Sequence, residues 1–376
     1  GNARFKNASF LSSATNIIYD ADGVLHLEGS NLHLDTVVIR NRDRDRKNGI
    51  AYAQGLVVFN GLAVESLDFT IRSPGVLVMN KASQARSPDI FGDIVIATGK
   101  KPIRFFGKLD SPMLEGDIHV LYTDIIFPQE RSSTRSRYTA FEYNRASDTN
   151  KRYNSVLERA MRERIASDTS VRDTSKVHPV ARALESIVKS TTASFVDILR
   201  YDLDIYLKGR TLMTMVFGMF EILIADLEQV DQRIPLNFTG RFVDGSTNLR
   251  GKVRVKDGTS TYKFYKPFVA SGTLDFTSGG MTDPTLDLKA VYKDRRTLSD
   301  NKTEDFRVEI LITGTKQKPI ARWSVYRNDR KQEGDSAKIT GDALMLILVG
   351  KTQDELTSSG QGNLVGEVNA SLSAMA

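Results

Sequence analysis

Cysteine is absent from the 376 residues, which removes disulfides, thiolate metal sites and cysteine nucleophiles as explanations for fold or activity. No run of 18 apolar residues occurs, so no segment reads as a membrane-spanning helix. The most apolar stretch, "TLMTMVFGMFEILIADLEQ", carries Glu221 and Asp226, is interrupted by Gly218, and reads as strand or buried segment. No basic-then-apolar leader opens the chain, and the expectation is that any export signal or membrane anchor lies outside it. Histidine is scarce: His26, His33, His119 and His178 are scattered, and none joins a metal-ligand spacing. The nucleophile elbow, the zincin helix motif and the phosphate loop are all missing. Carboxylates are plentiful, yet nothing selects a catalytic pair. The chain is read as a non-enzyme with no cofactor and no metal site.

The composition is that of a chain long enough for a large core, 40% hydrophobic with a net charge of +6. The positive balance permits an anionic partner, but the charges are spread. The densest run, "RNRDRDRKNG" from Arg40 to Gly49, mixes Asp43 and Asp45 among its basic residues and reads as a solvated loop. Tyr262, Phe264 and Tyr265 interleave with Lys263 and Lys266 in "TSTYKFYKPF". That pattern fits a nucleic-acid stacking platform and equally fits a strand packed on a core; mixed charge around it favours the strand, and nucleic acid is not expected as a partner.

Period-two alternation dominates. In "YDLDIYLK", Leu203, Ile205 and Leu207 fall on one face with Asp202, Asp204 and Lys208 on the other. "SLDFTIR" sets Leu67, Phe69 and Ile71 against Asp68, Thr70 and Arg72; "IPLNFTGRF" gives Leu236 and Phe238; "KVRVK" gives Val253 and Val255. "TLDLKAVY" gives Leu286 and Leu288, and "FRVEILI" gives Val308, Ile310 and Ile312. Turn residues recur between these runs, as in "DADG", "RSPG", "TGKKP" and "KDGTS". The chain therefore reads as mainly β, a succession of short antiparallel strands joined by tight turns, with no crossover helices for a parallel sheet.

Two regions break the pattern. Residues 129–190 turn polar and Arg-rich, with helical spacing in "NSVLERAMRERIASD" and "VARALESIVKS", and read as a polar, partly helical insertion. In "DALMLILVGKTQDEL", Asp342 is a candidate cap for a helix that Gly350 ends. The expected divisions are an N-terminal β segment at 1–128, the insertion at 129–190, a C-terminal β domain at 191–351, and a linker or tail at 352–376.

The order of elements in the C-terminal half resembles the C-terminal domain of the TamB family of diderm envelope proteins. The resemblance runs through "FVASGTLDF" with Gly272, "GGMTDPTLDLKA" with Pro284, "ITGT" followed by Pro319 and "ARWS", and a helix ending in Gly350. It covers roughly residues 250–351, and the insertion has no counterpart in it. Such proteins are similar in architecture to bridge-like lipid transfer proteins, and the resemblance implies a curved antiparallel sheet forming an elongated, half-open groove with an apolar interior. On that reading the chain is one periplasmic segment of a longer conduit anchored in the inner membrane. Its partners would be phospholipid acyl chains, an outer-membrane barrel protein and the remainder of its own longer chain. The inward residues named above, Leu67, Phe69, Ile71, Leu203, Ile205, Leu207, Leu236, Phe238, Val253, Val255, Leu286, Leu288, Val308, Ile310 and Ile312, would line the groove. The residues alone leave open a closed sandwich or solenoid core, and a scaffold for outer-membrane protein assembly that carries no lipid.

Overall fold

The computed structural model describes residues 1–12, 16–41, 49–85, 89–129, 198–218, 221–241, 248–277, 281–298 and 301–358. The insertion beyond residue 129, most of the basic run after Arg40 and the tail after residue 358 lie outside the described residues. Residues 1–130 and 195–376 pack as one unit.

The described chain is mainly β, and its strands join in one sheet. From one edge, β1 (Asn2–Ser12), β2 (Ile17–Glu28), β3 (Asn31–Asn41), β4 (Ile50–Asn60) and β5 (Ala63–Met79) form an antiparallel meander. β5 is long enough to be shared. β6 (Phe91–Thr98) pairs with its C-terminal part, β7 (Ile103–Lys108) with its middle, and both then pair with β8 (Met113–Phe127). β9 (Arg200–Val216) is shared in the same way by β10 (Glu221–Gln229) and β11 (Leu236–Arg241). β12 (Asn248–Arg250) pairs with β11, and β13 (Lys252–Phe264) with β10. The meander resumes through β14 (Lys266–Asp275), β15 (Thr285–Thr297), β16 (Thr303–Thr315), β17 (Pro319–Arg327) and β18 (Arg330–Lys331).

One junction departs from the all-antiparallel expectation. β8 and β9 run parallel, with Ile118 opposite Ile205 and Ile125 opposite Met213. A parallel pair needs a long connection in place of a hairpin, and the chain between Phe127 and Arg200 supplies it. The register slips by one residue between Val120 and Tyr122, and the Leu121 carbonyl oxygen there lies 1.7 Å from where a Cβ at Gly209 would stand. Only glycine fits that approach.

Alternation works as period two predicts. On β16, Phe306, Val308, Ile310 and Ile312 are buried while Leu311 faces out. The outward face carries cross-strand ion pairs, Lys289 with Glu309 at 3.0 Å and Arg254 with Glu228 at 3.1 Å, worth a few tenths of a kcal/mol each at such exposure.

The apolar face is covered differently along the sheet. On β2–β4 burial is sparse, with a small cluster of Ala21, Val37 and Ala53 beside Ile17 and Ala51, and Phe10, Leu11 and Ile18 on the first two strands are exposed. At the far end a helix, α1 (Ser336–Val349), packs against β17 and shares a buried cluster with Leu286, Leu288, Val308, Ile310 and Ile312. Residues 343–347 of α1 are all buried. Five successive residues circle the helix completely at 3.6 per turn, so protein surrounds it on every side. Its four large side chains there, Leu344, Met345, Leu346 and Ile347, contribute roughly 2 kcal/mol each.

The N-cap of α1 is Asp335, whose carboxylate accepts the Lys338 N–H at 2.7 Å, and not Asp342. The helix extends seven residues further toward the N-terminus because "SAKITG" is compatible with helix despite lacking an apolar stripe. Asp342 instead accepts the Gln353 N–H at 2.9 Å. Gly350 closes the helix at φ 75°, as its position implied. Residues 353–358, within the stretch expected as linker, form a second short helix, α2, with Leu356 fully buried.

Candidate functional site: an apolar cavity on the inner face of the sheet

Between the sparse N-terminal end and the helix-covered end lies a cavity of about 350 Å³. Its walls come from β5, β6, β8, β9, β10, β11, β12 and β13, with Ile90, Phe276 and Met281 from the connections. Of the described residues around it, only Thr123 and Thr211 carry a polar side-chain atom. Thr123 spends its hydroxyl on the Leu212 carbonyl oxygen at 3.2 Å, and Thr211 on that of Gly209 at 3.4 Å. Among the described residues no charged side chain lines the cavity. Such a lining offers little to water and suits an apolar occupant.

The strands assemble this wall by register. Leu203 and Ile205 of β9 stand opposite Phe238 and Leu236 of β11, and Ile205 also stands opposite Ile118 of β8. Alternation turns Asp202 and Asp204 to the other side, where they border a separate polar surface with Lys101, Arg104, Glu115 and Asp117.

The fifteen residues expected along an inner groove fall into three groups. Leu203, Ile205, Leu207, Leu236, Phe238 and Val253 line the cavity. Val255, Leu286, Leu288, Val308, Ile310 and Ile312 lie in the packed cluster that includes α1; Leu286 and Leu288 are 2% and 1% exposed. Leu67 is buried, and Phe69 and Ile71 are half-buried on β5 outside the cavity, with Phe69 stacked on Phe105 at 6.1 Å. Residues of the cavity that alternation did not single out include Met79, Ile90, Phe276 and Met281. They sit at strand ends and in connections, where a two-residue period carries no information.

Polar candidates do not converge into a catalytic group. His26 and His33 are register partners on β2 and β3, closer than their scatter in sequence implied, with rings 6.2 Å apart. His26 is bonded to Asn2, and His119 packs edge-on against Tyr206. Among the described residues, no three His, Cys, Asp or Glu side chains are placed to hold a metal ion. Tyr262 and Phe264 are buried and unavailable for base stacking. Burial raises the Glu221 carboxyl above the ordinary range, and burial together with the Glu221 charge raises the Tyr262 hydroxyl. No helix among the described residues is long and apolar enough to cross a membrane.

The strongest polar cluster fastens the C-terminal helices. Arg296 on β15 donates through Nε and Nη2 to Glu304 on β16, at 2.8 and 2.6 Å, and through Nη1 and Nη2 to Glu355 on α2, at 2.6 and 2.9 Å. Its Nη1 also reaches the carbonyl oxygen of Gly350 at 3.1 Å. Arg327 on β17 donates to the other oxygen of Glu304 at 2.9 Å. Burial alone would raise the Glu355 carboxyl; the Arg296 hydrogen bonds, the Thr352 N–H and the charges of Arg296 and Arg327 outweigh it and hold that group below the usual range.

These features define a mainly antiparallel β protein whose sheet carries a cavity lined by apolar side chains on one face. Residues 235–376 match the family described as TamB C-terminal domain. No curated protein and no solved structure matches the chain.

Proposed function

We propose that the chain is a segment of a periplasmic lipid-transfer conduit, which shields phospholipid acyl chains in a β groove between inner and outer membranes and so supports outer-membrane biogenesis. The observation that carries this reading is the cavity: about 350 Å³ lined by apolar side chains with two hydroxyls, both already bonded within the protein. At about 30 Å³ per water-sized group it has room for about a dozen methylenes. No cation stands inside to neutralise a headgroup phosphate, so the headgroup would remain outside while one chain enters. An outer-membrane barrel protein and further TamB chain are the partners that suit this role, because β1 and β17–β18 are the outermost strands of the sheet among the described residues, the position at which a strand can be added.

The test is native mass spectrometry of the purified protein with extraction of bound lipid. Phospholipid recovered at about one chain-binding equivalent per protein supports the conduit. A lipid-free protein that also fails to take up phospholipid from vesicles overturns it. The packed cluster beneath α1 favours a second reading, a scaffold that assists outer-membrane protein assembly without carrying lipid, and that outcome would select it.

A further inference from the structure

We propose that α1 is a displaceable plug, which covers the inner face of β14–β17 in the lipid-free protein and yields it to acyl chains advancing from the cavity, with the Arg296, Glu304, Arg327 and Glu355 cluster as its latch. The inference rests on the conduit reading above. Its first support is continuity: a single buried cluster contains Leu344, Leu346 and Ile347 of α1 and also Met213, Val253 and Phe276 of the cavity wall. No polar layer separates the two.

The second support is the apolar surface beside the helix, which packs on β17 and shares its buried cluster with residues of β14–β16. Cross-strand rows run Ala270, Ala290, Ile310, Trp323 and Gly272, Leu288, Ile312, Ala321. These are apolar or small residues; Ala270 and Ala290 are buried despite their size, while toward β17 Trp323 is half-buried and Ala321 is exposed. With α1 withdrawn, the rows extend the cavity wall across four more strands, on the order of 19 Å at 4.8 Å per strand. The apolar burial of the four large α1 side chains is equalled by that of about ten acyl methylenes, so a lipid chain is an adequate substitute.

The third support is how α1 is held. Lys338 pairs with Asp354 at 3.0 Å and Asp342 accepts from Gln353, which joins α1 and α2 into one unit. That unit meets Arg296 through Gly350 and Glu355, at one end of α1. At the other end, residues 333–338 are exposed. A latch at one end and an exposed segment at the other mean that what the helix must give up besides the latch is the packing of its middle turns, residues 343–347.

The chain's lack of cysteine makes a direct test available. Ala343→Cys places a single thiol at a fully buried position of α1, and Ala51→Cys places one in the sheet core on β4, away from α1. Maleimide labelling is followed with and without vesicles of phosphatidylethanolamine and phosphatidylglycerol, and bound lipid is quantified in the same samples. The expected result is labelling of Ala343→Cys about tenfold faster with vesicles, with Ala51→Cys unchanged, the signature of local opening. Adding Glu355→Gln should speed labelling about tenfold without vesicles, through loss of charge-assisted bonds. If lipid is retained and Ala343→Cys labels at its lipid-free rate, the plug is overturned and the conduit stands. Equal acceleration at Ala51→Cys means opening is global and also overturns the plug. If no lipid is taken up, both readings fall. Should Ala343→Cys not fold, hydrogen exchange at the α1 amides of the unaltered chain reads the same opening.

Discussion

Arg296 and Glu355, 59 positions apart, are joined by two hydrogen bonds of 2.6 and 2.9 Å. With its bonds to Glu304 and Gly350, Arg296 uses all five of its N–H donors. Removing it leaves Glu304, which is 5% exposed, bonded to Arg327. Arg296→Ala should cost about 3 kcal/mol, the scale for breaking a buried ion pair. Arg296→Lys keeps the charge but not the fork and should fall between. Urea denaturation of the three proteins gives the order; an Ala variant as stable as the parent would refute it.

The same cluster sets a pH dependence. A carboxyl held below its unfolded value of 4.5, as Glu355 is, contributes stability above that pH and loses it as pH falls through the folded value. Glu355 faces Arg296 from β15 and Arg327 from β17, and it sits beside the Thr352 N–H and near the anionic Glu304. Hydrogen exchange in α1 and α2 should therefore be unchanged between pH 7 and pH 5 after correction for intrinsic rates, and should rise as pH drops below 4.5. Glu355→Gln should flatten that rise.

Gly272, within the "GTLDF" run that resembles the family, has φ 137°, and a Cβ there would lie 2.1 Å from the Asp287 carbonyl oxygen on β15. Both the dihedral and the contact exclude side chains. Gly272→Ala should destabilise by about 2 kcal/mol or more, read as a lowered midpoint of thermal unfolding. Gly61→Ala offers a contrast: its φ is also positive, but its Cβ site is open, so the loss should be smaller.

Strand faces were legible because each has a local cause. Leu203, Phe238 and Ile310 alternate with polar neighbours, and the structure buries all three. The parallel β8–β9 pair was not, because residues on either side of a long connection carry no mark of their pairing. Nor could alternation distinguish an open wall from a filled one. Ile205 and Ile310 have the same pattern in sequence, and what separates them is a helix contributed by residues 336–349. The capping of α1 by Asp335 and the bonding of Arg296 to Glu355 depend likewise on side-chain geometry beyond any period.

That difference supplies the decisive comparison. Ile205 lines the cavity and is partly buried, whereas Ile310 is 1% exposed within the packed cluster that contains α1. A carboxylate at either position is costly if it cannot reach water. At position 310 the side chain is packed with α1 in the lipid-free protein, and Ile310→Asp should cost more than about 4 kcal/mol and give aggregated protein. At position 205 the cavity leaves room for water to follow the charge. Ile205→Asp should remain soluble with an unchanged circular dichroism spectrum, yet lose bound phospholipid, because an acyl chain cannot share the site with a hydrated carboxylate. If Ile205→Asp aggregates like Ile310→Asp, the cavity is a packing defect in a closed core. If it folds and retains its lipid, the acyl chain lies elsewhere, and the wall formed by Leu203, Ile205 and Phe238 is not its path.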